Sequence, residues 1–234
     1  MTERAVSATI ESDRRPRARR LVPEQRIAFA ASWDLYEALT RAIGNHQPVR
    51  VAFDGERVEL MSPSQDHDEL KAQAASLIRA LAAVLGVVCK GIGSTTQRQP
   101  TERGLEPDTS FYLTPEKITS ALARRRGRAP DPAAPPGPVP DLAVEIDLSP
   151  SALDRPSIYA ALGVREVWRY NGEHVLIERL APDGAFATAA ESGFLGVRPD
   201  EVERLLAVEV ADDNAFIEYV KAWARDVLAP RRKP

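Results

Sequence analysis

Hydrophobic residues recur along the chain with two periods, and the switches between them mark out the expected elements. Trp33, Leu35, Tyr36, Leu39 and Ile43 follow helical spacing behind Ser32, a good N-cap, and ahead of Gly44, a helix stop. Two alternating runs, 49–53 and 57–61, flank Asp54-Gly55-Glu56, and Asp-Gly between such runs signals a hairpin. The longest helix is predicted over 66–85 from Leu70, Ala74, Leu77, Leu81, Val84 and Leu85. An Asp66/Glu69 capping box would start it and Gly86 would stop it. Short strands are expected at 87–90 and 94–98, and a longer one over 105–113. Thr114-Pro115-Glu116 then opens a helix that ends at Gly127, with proline at its first position.

The clearest strand is 141–148, where Leu142, Val144, Ile146 and Leu148 alternate with Asp141, Ala143, Glu145 and Asp147. A short helix over 154–162 follows, stopped by Gly163. Runs 165–170 and 174–180 form a hairpin around Asn171-Gly172, and a turn at Pro182-Asp183-Gly184 precedes a run over 185–189. Helices over 199–207 and 212–228 complete the chain. Tight hairpins interleaved with helices predict an α/β fold, with a central mixed sheet flanked by helices. Residues 1–22 lack a period and read as a flexible basic tail, 23–229 as a single domain, and 230–234 as a basic C-terminal tail. The proline-rich stretch 129–140 reads as an extended loop inside that domain.

Composition narrows the function classes. The chain has 234 residues, 44% of them hydrophobic and 28% charged, as in an ordinary globular protein. Cys89 is the single cysteine, so neither an internal disulfide nor a cysteine-based zinc site is available, which fits a reducing, cytoplasmic setting. No apolar run is long enough to predict a membrane span. The net charge of −3 does not by itself point to nucleic acid. Arginines do cluster at Arg14, Arg15, Arg17, Arg19 and Arg20, at Arg124, Arg125, Arg126 and Arg128, and at Arg231 and Arg232. Those clusters serve solvation or phosphate contact equally well.

Candidate chemistry lies on the 141–148 strand. Its period places Glu145 and Asp147 on one face and the aliphatic residues in a core on the other. Two adjacent carboxylates repel unless a cation joins them, and Mg²⁺ takes oxygen ligands of this kind. Glu106-Pro107-Asp108 is a second acidic source, and if the two strands are neighbours Asp108 meets Glu145. Such a site suits metal-assisted phosphodiester hydrolysis. Acids on a solvent-facing strand serve solubility as well, so spacing alone does not choose between these readings.

The blocks ELMSPSQDHDEL (59–70), GSTTQRQ (93–99), GLEPDTSFYL (104–113) and PDLAVEIDLSPSALDRPSIYAALGVREVWRYNGE (140–173) resemble the Uma2 (DUF820) family. The resemblance implies a restriction-endonuclease-like core of the PD-(D/E)xK type and a DNA endonuclease activity dependent on Mg²⁺ or Mn²⁺. It matches Asp108 and Glu145 to the family's two acidic, metal-holding positions. Asp147 would be a third ligand or outer acid, and His67 and Glu69 are possible accessory residues. The lysine expected two positions after the second acid is replaced by Asp147, and the basic position shifts to Arg155. Arginine holds positive charge but does not act as a general base. This departure leaves open a DNA-binding protein with impaired catalysis, or an interaction protein without a metal. Tyr159, Trp168 and Tyr170 read as core residues by their alternation, and Lys71 and Lys90 are not placed in the site. A homodimer would follow from cutting both strands.

Overall fold

The computed structural model describes residues 21–44, 48–99, 102–127 and 137–232, without the side chains of 99 and 124–127. Among the described residues two sheets and six α-helices follow in chain order: β1 (Gln25–Ala30), α1 (Trp33–Ile43), β2 (Arg50–Phe53), β3 (Arg57–Ser62), α2 (Gln65–Leu85), β4 (Lys90–Gly91), β5 (Gln97–Gln99), β6 (Arg103–Leu105), β7 (Thr109–Tyr112), α3 (Pro115–Gly127), β8 (Leu142–Ile146), α4 (Arg155–Leu162), β9 (Glu166–Tyr170), β10 (Val175–Leu180), β11 (Phe186–Thr188), α5 (Pro199–Leu206) and α6 (Asp213–Trp223). A six-stranded mixed sheet has the order β11-β10-β9-β8-β7-β4, with β8 and β9 parallel and the other pairs antiparallel. A five-stranded antiparallel sheet has the order β1-β3-β2-β6-β5. Among the described residues no helix is long and apolar enough to cross a membrane.

One face of the mixed sheet packs on helices. Leu142, Val144 and Ile146 of β8 join Leu77, Ile78 and Leu81 of α2, Val202 and Leu205 of α5, and Phe216 and Val220 of α6. The other face meets α4 through Ala143, Val167, Ile158 and Tyr159, and this cluster also takes in Ala52 and Leu105 of the second sheet. Helix α1 covers the far side of that sheet, where Tyr36 stacks on Phe53 at 5.5 Å. Strand β8 is therefore buried on both faces. Of the two readings of the acidic face of 141–148, the solvent-facing one does not hold: α4 and the second sheet close over the acids.

The helix N-terminus at α2 is set by Ser64, whose Oγ accepts from His67 N at 3.1 Å, not by Asp66. Asp66 instead accepts from Val22 N at 2.7 Å. Ser32 and Gly44 bound α1 as expected, and the hairpins at Asp54-Gly55 and Asn171-Gly172 form. The expected strand over 105–113 is two strands in different sheets, because Pro107 has no N–H to donate and the chain changes sheet there. The expected strand over 87–90 shrinks to β4, since Val87 N closes the end of α2 on Ala82 O at 3.0 Å. Strand β1 has no counterpart among the elements expected from the sequence. The last helix keeps α geometry only to Trp223 and continues as a wider, π-helical turn over Ala224–Leu228.

Candidate active site

The register between β7 and β8 brings the two acids together. Thr109 pairs with Val144, so the next position outward opposes Asp108 to Glu145. Ile146 N donates to Asp108 Oδ2 at 2.8 Å, which fixes the carboxylate across the ladder. Both acids are 1% exposed.

Helix α4 supplies their main basic partner. Asp154 caps it by accepting from Ser157 N, which places Arg155 at its first position. Arg155 and Tyr159, four residues apart, lie on one face of α4. The Arg155 guanidinium and the Tyr159 hydroxyl both donate to Glu145 Oε1. On the opposite acid, Arg50 Nε lies 3.1 Å from Asp108 Oδ1 and His67 Nε2 lies 3.1 Å from Oδ2. Burial alone would raise Asp108, but the His67 contact, the Arg50 charge and the Ile146 N–H outweigh it and hold the carboxyl below its usual range. Burial pushes Glu145 up to about 7; the Arg155 charge opposes this and the Asp108 and Asp147 charges reinforce it. Burial disfavours the Arg155 charge, but Glu145 and its neighbours more than compensate and raise its pKa further.

A second ring of charge surrounds the first. Asp147 pairs with Arg26 at 3.1 Å and Arg169 at 3.2 Å. Arg26 also reaches Glu24 and Glu59, each at 2.8 Å. Glu59 accepts from Ser151 Oγ at 3.0 Å and Ala152 N at 2.8 Å, and lies 3.7 Å from Arg155 Nη1. Glu24, Arg26, Arg50 and Glu59 were not expected at the site. Register shows why: Arg26 and Arg50 both pair with Met61, and Ala52 and Ala28 both pair with Glu59. Paired residues share a face, so these charges line the side of the second sheet that turns toward the acids. In the sequence the same alternation looks like a solvent face. Tyr159 was expected in the core and is there, yet its hydroxyl also binds Glu145.

A divalent cation such as Mg²⁺ would need carboxylate oxygens free to bind it. Glu145 Oε2 is buried without a hydrogen-bond partner, and Asp108 Oδ1 has the Arg50 ion pair at 3.1 Å without a well-aligned hydrogen bond. An orphaned carboxylate oxygen is costly and suits a hard cation. Among the described residues no group of three or more His, Cys, Asp or Glu is arranged to hold a metal. Mg²⁺ tolerates that, because it keeps several waters and often uses one or two carboxylates plus substrate phosphate. The pair therefore fits.

Other expected residues lie elsewhere. Glu69 is exposed on α2 and accepts from Gln65 at 2.8 Å, apart from the Asp108–Glu145 pair. Lys71 pairs with Asp68 at 3.0 Å, and Lys90 sits on edge strand β4. Trp168 and Tyr170 are core residues. Asp141, on the same strand face as Glu145 in sequence, binds Leu113 N at 2.8 Å and Lys117 Nζ at 2.7 Å and so braces the start of α3. Arg231 bonds Glu201 at 2.6 Å, so this part of the basic C-terminus is docked on α5. The arginines of 14–20, the side chains of Arg124, Arg125 and Arg126, and Arg128 lie outside the described residues, as does His46.

A model of the Uma2 family, described as "Putative restriction endonuclease", matches residues 33–209. Among solved structures the chain is similar to "a putative nuclease belonging to DUF820" from Anabaena variabilis, with 15% identity and a TM-score of 0.45. That alignment covers 83% of this chain and 99% of the other. No curated protein matches the chain.

Proposed function

The chain belongs to the Uma2 family, and from that premise we propose that it hydrolyses DNA phosphodiester bonds with a divalent cation, Mg²⁺ or Mn²⁺, held by Asp108 and Glu145. The observation that carries this reading is the facing pair of buried acids, with Glu145 Oε2 unpartnered and Asp108 Oδ1 held only by the Arg50 ion pair, beside a buried arginine. A cation so held supplies Lewis-acid polarisation of a phosphate oxygen and makes water a better nucleophile. His67, Arg50 and the Ile146 N–H keep Asp108 ionised and oriented. Tyr159 and Arg155 fix Glu145 through one oxygen and leave the other free. Arg155 offsets negative charge on phosphate and takes no proton, because a guanidinium does not deprotonate in proteins. Asp147 faces Arg26 and Arg169 and acts in the outer ring, setting the charge around Glu145. Two copies related by a twofold axis would cut both strands, and sedimentation velocity with and without duplex DNA tests that pairing.

The test is nicking of supercoiled plasmid with Mg²⁺, with Mn²⁺ and with chelator, beside Asp108→Ala and Glu145→Ala. Metal-dependent nicking by the parent, lost in both variants, is expected. Equal cleavage in chelator would overturn the metal role.

A second reading rests on Asp147 at the position of the missing lysine and on Arg155 as the shifted basic residue: DNA binding without cleavage. It predicts salt-sensitive DNA binding that persists in Asp108→Asn and an absence of nicking under every metal.

A further inference from the structure

Resting on the nuclease reading, we propose that Glu59 is a positioning residue whose carboxylate holds the Arg155 guanidinium against Glu145. Glu59 is 1% exposed. Its oxygens are taken by Arg26 Nη1 at 2.8 Å, by Ser151 Oγ at 3.0 Å and by Ala152 N at 2.8 Å. These partners come from β1 and from the turn that leads into α4, so Glu59 is fixed before it meets the arginine. Arg155 Nη1 lies 3.7 Å from Glu59 Oε1, too long for a hydrogen bond and well within ion-pair range. Glu59 therefore acts on Arg155 by charge.

The geometry gives that charge a task. Arg155 Nη2 binds Glu145, its Nη1 faces Glu59, and its Nε is buried without a partner. A long side chain gripped at one nitrogen alone retains rotational freedom about its last bonds. A second anion on the other terminal nitrogen removes it. Glu59 also tethers the 151–152 turn, so β3 sets both the start of α4 and the direction of its first side chain. A carboxylate this deep is costly unless its charge is used.

Cleavage of a labelled duplex with Mg²⁺ under steady-state conditions tests this in the parent, Glu59→Gln and Glu59→Asp. Glutamine preserves shape and, with its oxygen toward Ala152 N, the Ser151 and Ala152 bonds, but removes the charge and the Arg26 bond. Aspartate keeps the charge with poorer shape. A purely structural role ranks Gln above Asp; positioning by charge ranks Asp above Gln. The expected result for Glu59→Gln is a fall in kcat on the order of 10–100-fold with KM little changed. The Arg155 guanidinium NMR signals provide a readout that needs no activity: slow rotation about the Nε–Cζ bond in the parent and fast rotation in Glu59→Gln. If the parent cuts and Glu59→Gln cuts equally well, the positioning role is overturned and the nuclease reading stands. If the parent cuts nothing, the nuclease reading fails, and Arg155 signals unchanged by Glu59→Gln overturn the positioning role separately. Should Glu59→Gln not fold, Ser151→Ala loosens one anchor of Glu59; faster Arg155 rotation is expected, and unchanged signals overturn the proposal.

Discussion

Arg155 stands where the resemblance led us to expect a basic residue, and the site around it is built for a guanidinium. Its two terminal nitrogens face Glu145 and Glu59, which a lysine ammonium could not span in the same way. Arg155→Met leaves the buried Glu145 carboxylate without its cation, so we expect a loss of about 3–5 kcal/mol in urea unfolding. Arg155→Lys keeps the charge and should lose clearly less. Glu166 shows the same physics away from the site. Burial pushes its carboxyl up, against bonds from Ser192, Trp168 and Gly193 and the charge of Arg179. A raised carboxyl binds its proton more tightly in the folded state. Its contribution is full below the unfolded value of about 4.3 and is lost as pH rises through the folded value. Urea stability measured against pH should show that downward slope, and Glu166→Gln should make it shallower, the remainder coming from Glu145 and Glu106, which burial also raises. A variant curve with the parent's slope would assign the effect to another group.

Elements meet the site through short, constrained contacts. Strand β6 lies against α1, and a Cβ at Gly104 would come 2.3 Å from Tyr36 Oη. Tyr36 is fully buried and stacked on Phe53, so it has no open direction in which to move. Gly104→Ala is expected to cost about 1–3 kcal/mol by overpacking, read from thermal or urea melts. Helix α2 depends on Ser64, which also donates to Val22 O at 2.6 Å. Ser64→Ala removes the cap and this tie, with an expected cost of about 1–2 kcal/mol. Because His67 N is the capped group, the same change should loosen His67 beside Asp108. The helix starts and stops were legible because capping chemistry is local: Ser32, Gly44, Gly86, Asp154 and Gly163 all bound helices in the structure. The break at Pro107 was not, because alternation continues across it while the chain changes sheets.

Across the whole molecule the charged network joins two sheets that the sequence presents as unrelated segments. Hydrogen exchange should reflect this layout. Amides of β8 and β9, central in the mixed sheet and covered on both faces, should exchange only with global unfolding. Edge strands β1 and β11 should open locally and exchange faster. If β1 proved as protected as β8, the edge position would not govern its opening.

Local order determined what the sequence could declare of structure, most helices and hairpins and the mixed α/β class, whereas the choice of Asp108 and Glu145 came from the family resemblance. Periodicity, capping and turn chemistry act over a few residues, so they survive in one dimension. The second sheet, the coverage of the acidic face, and the roles of Arg26, Arg50 and Glu59 were decided only by tertiary structure. Their partners lie far along the chain; Arg26 meets Asp147, and Glu59 meets Arg155. A polar stripe on a strand looks alike whether water or another sheet lies over it. Only the packing of the second sheet and α4 over β8 turned that stripe from a surface into a buried charge network.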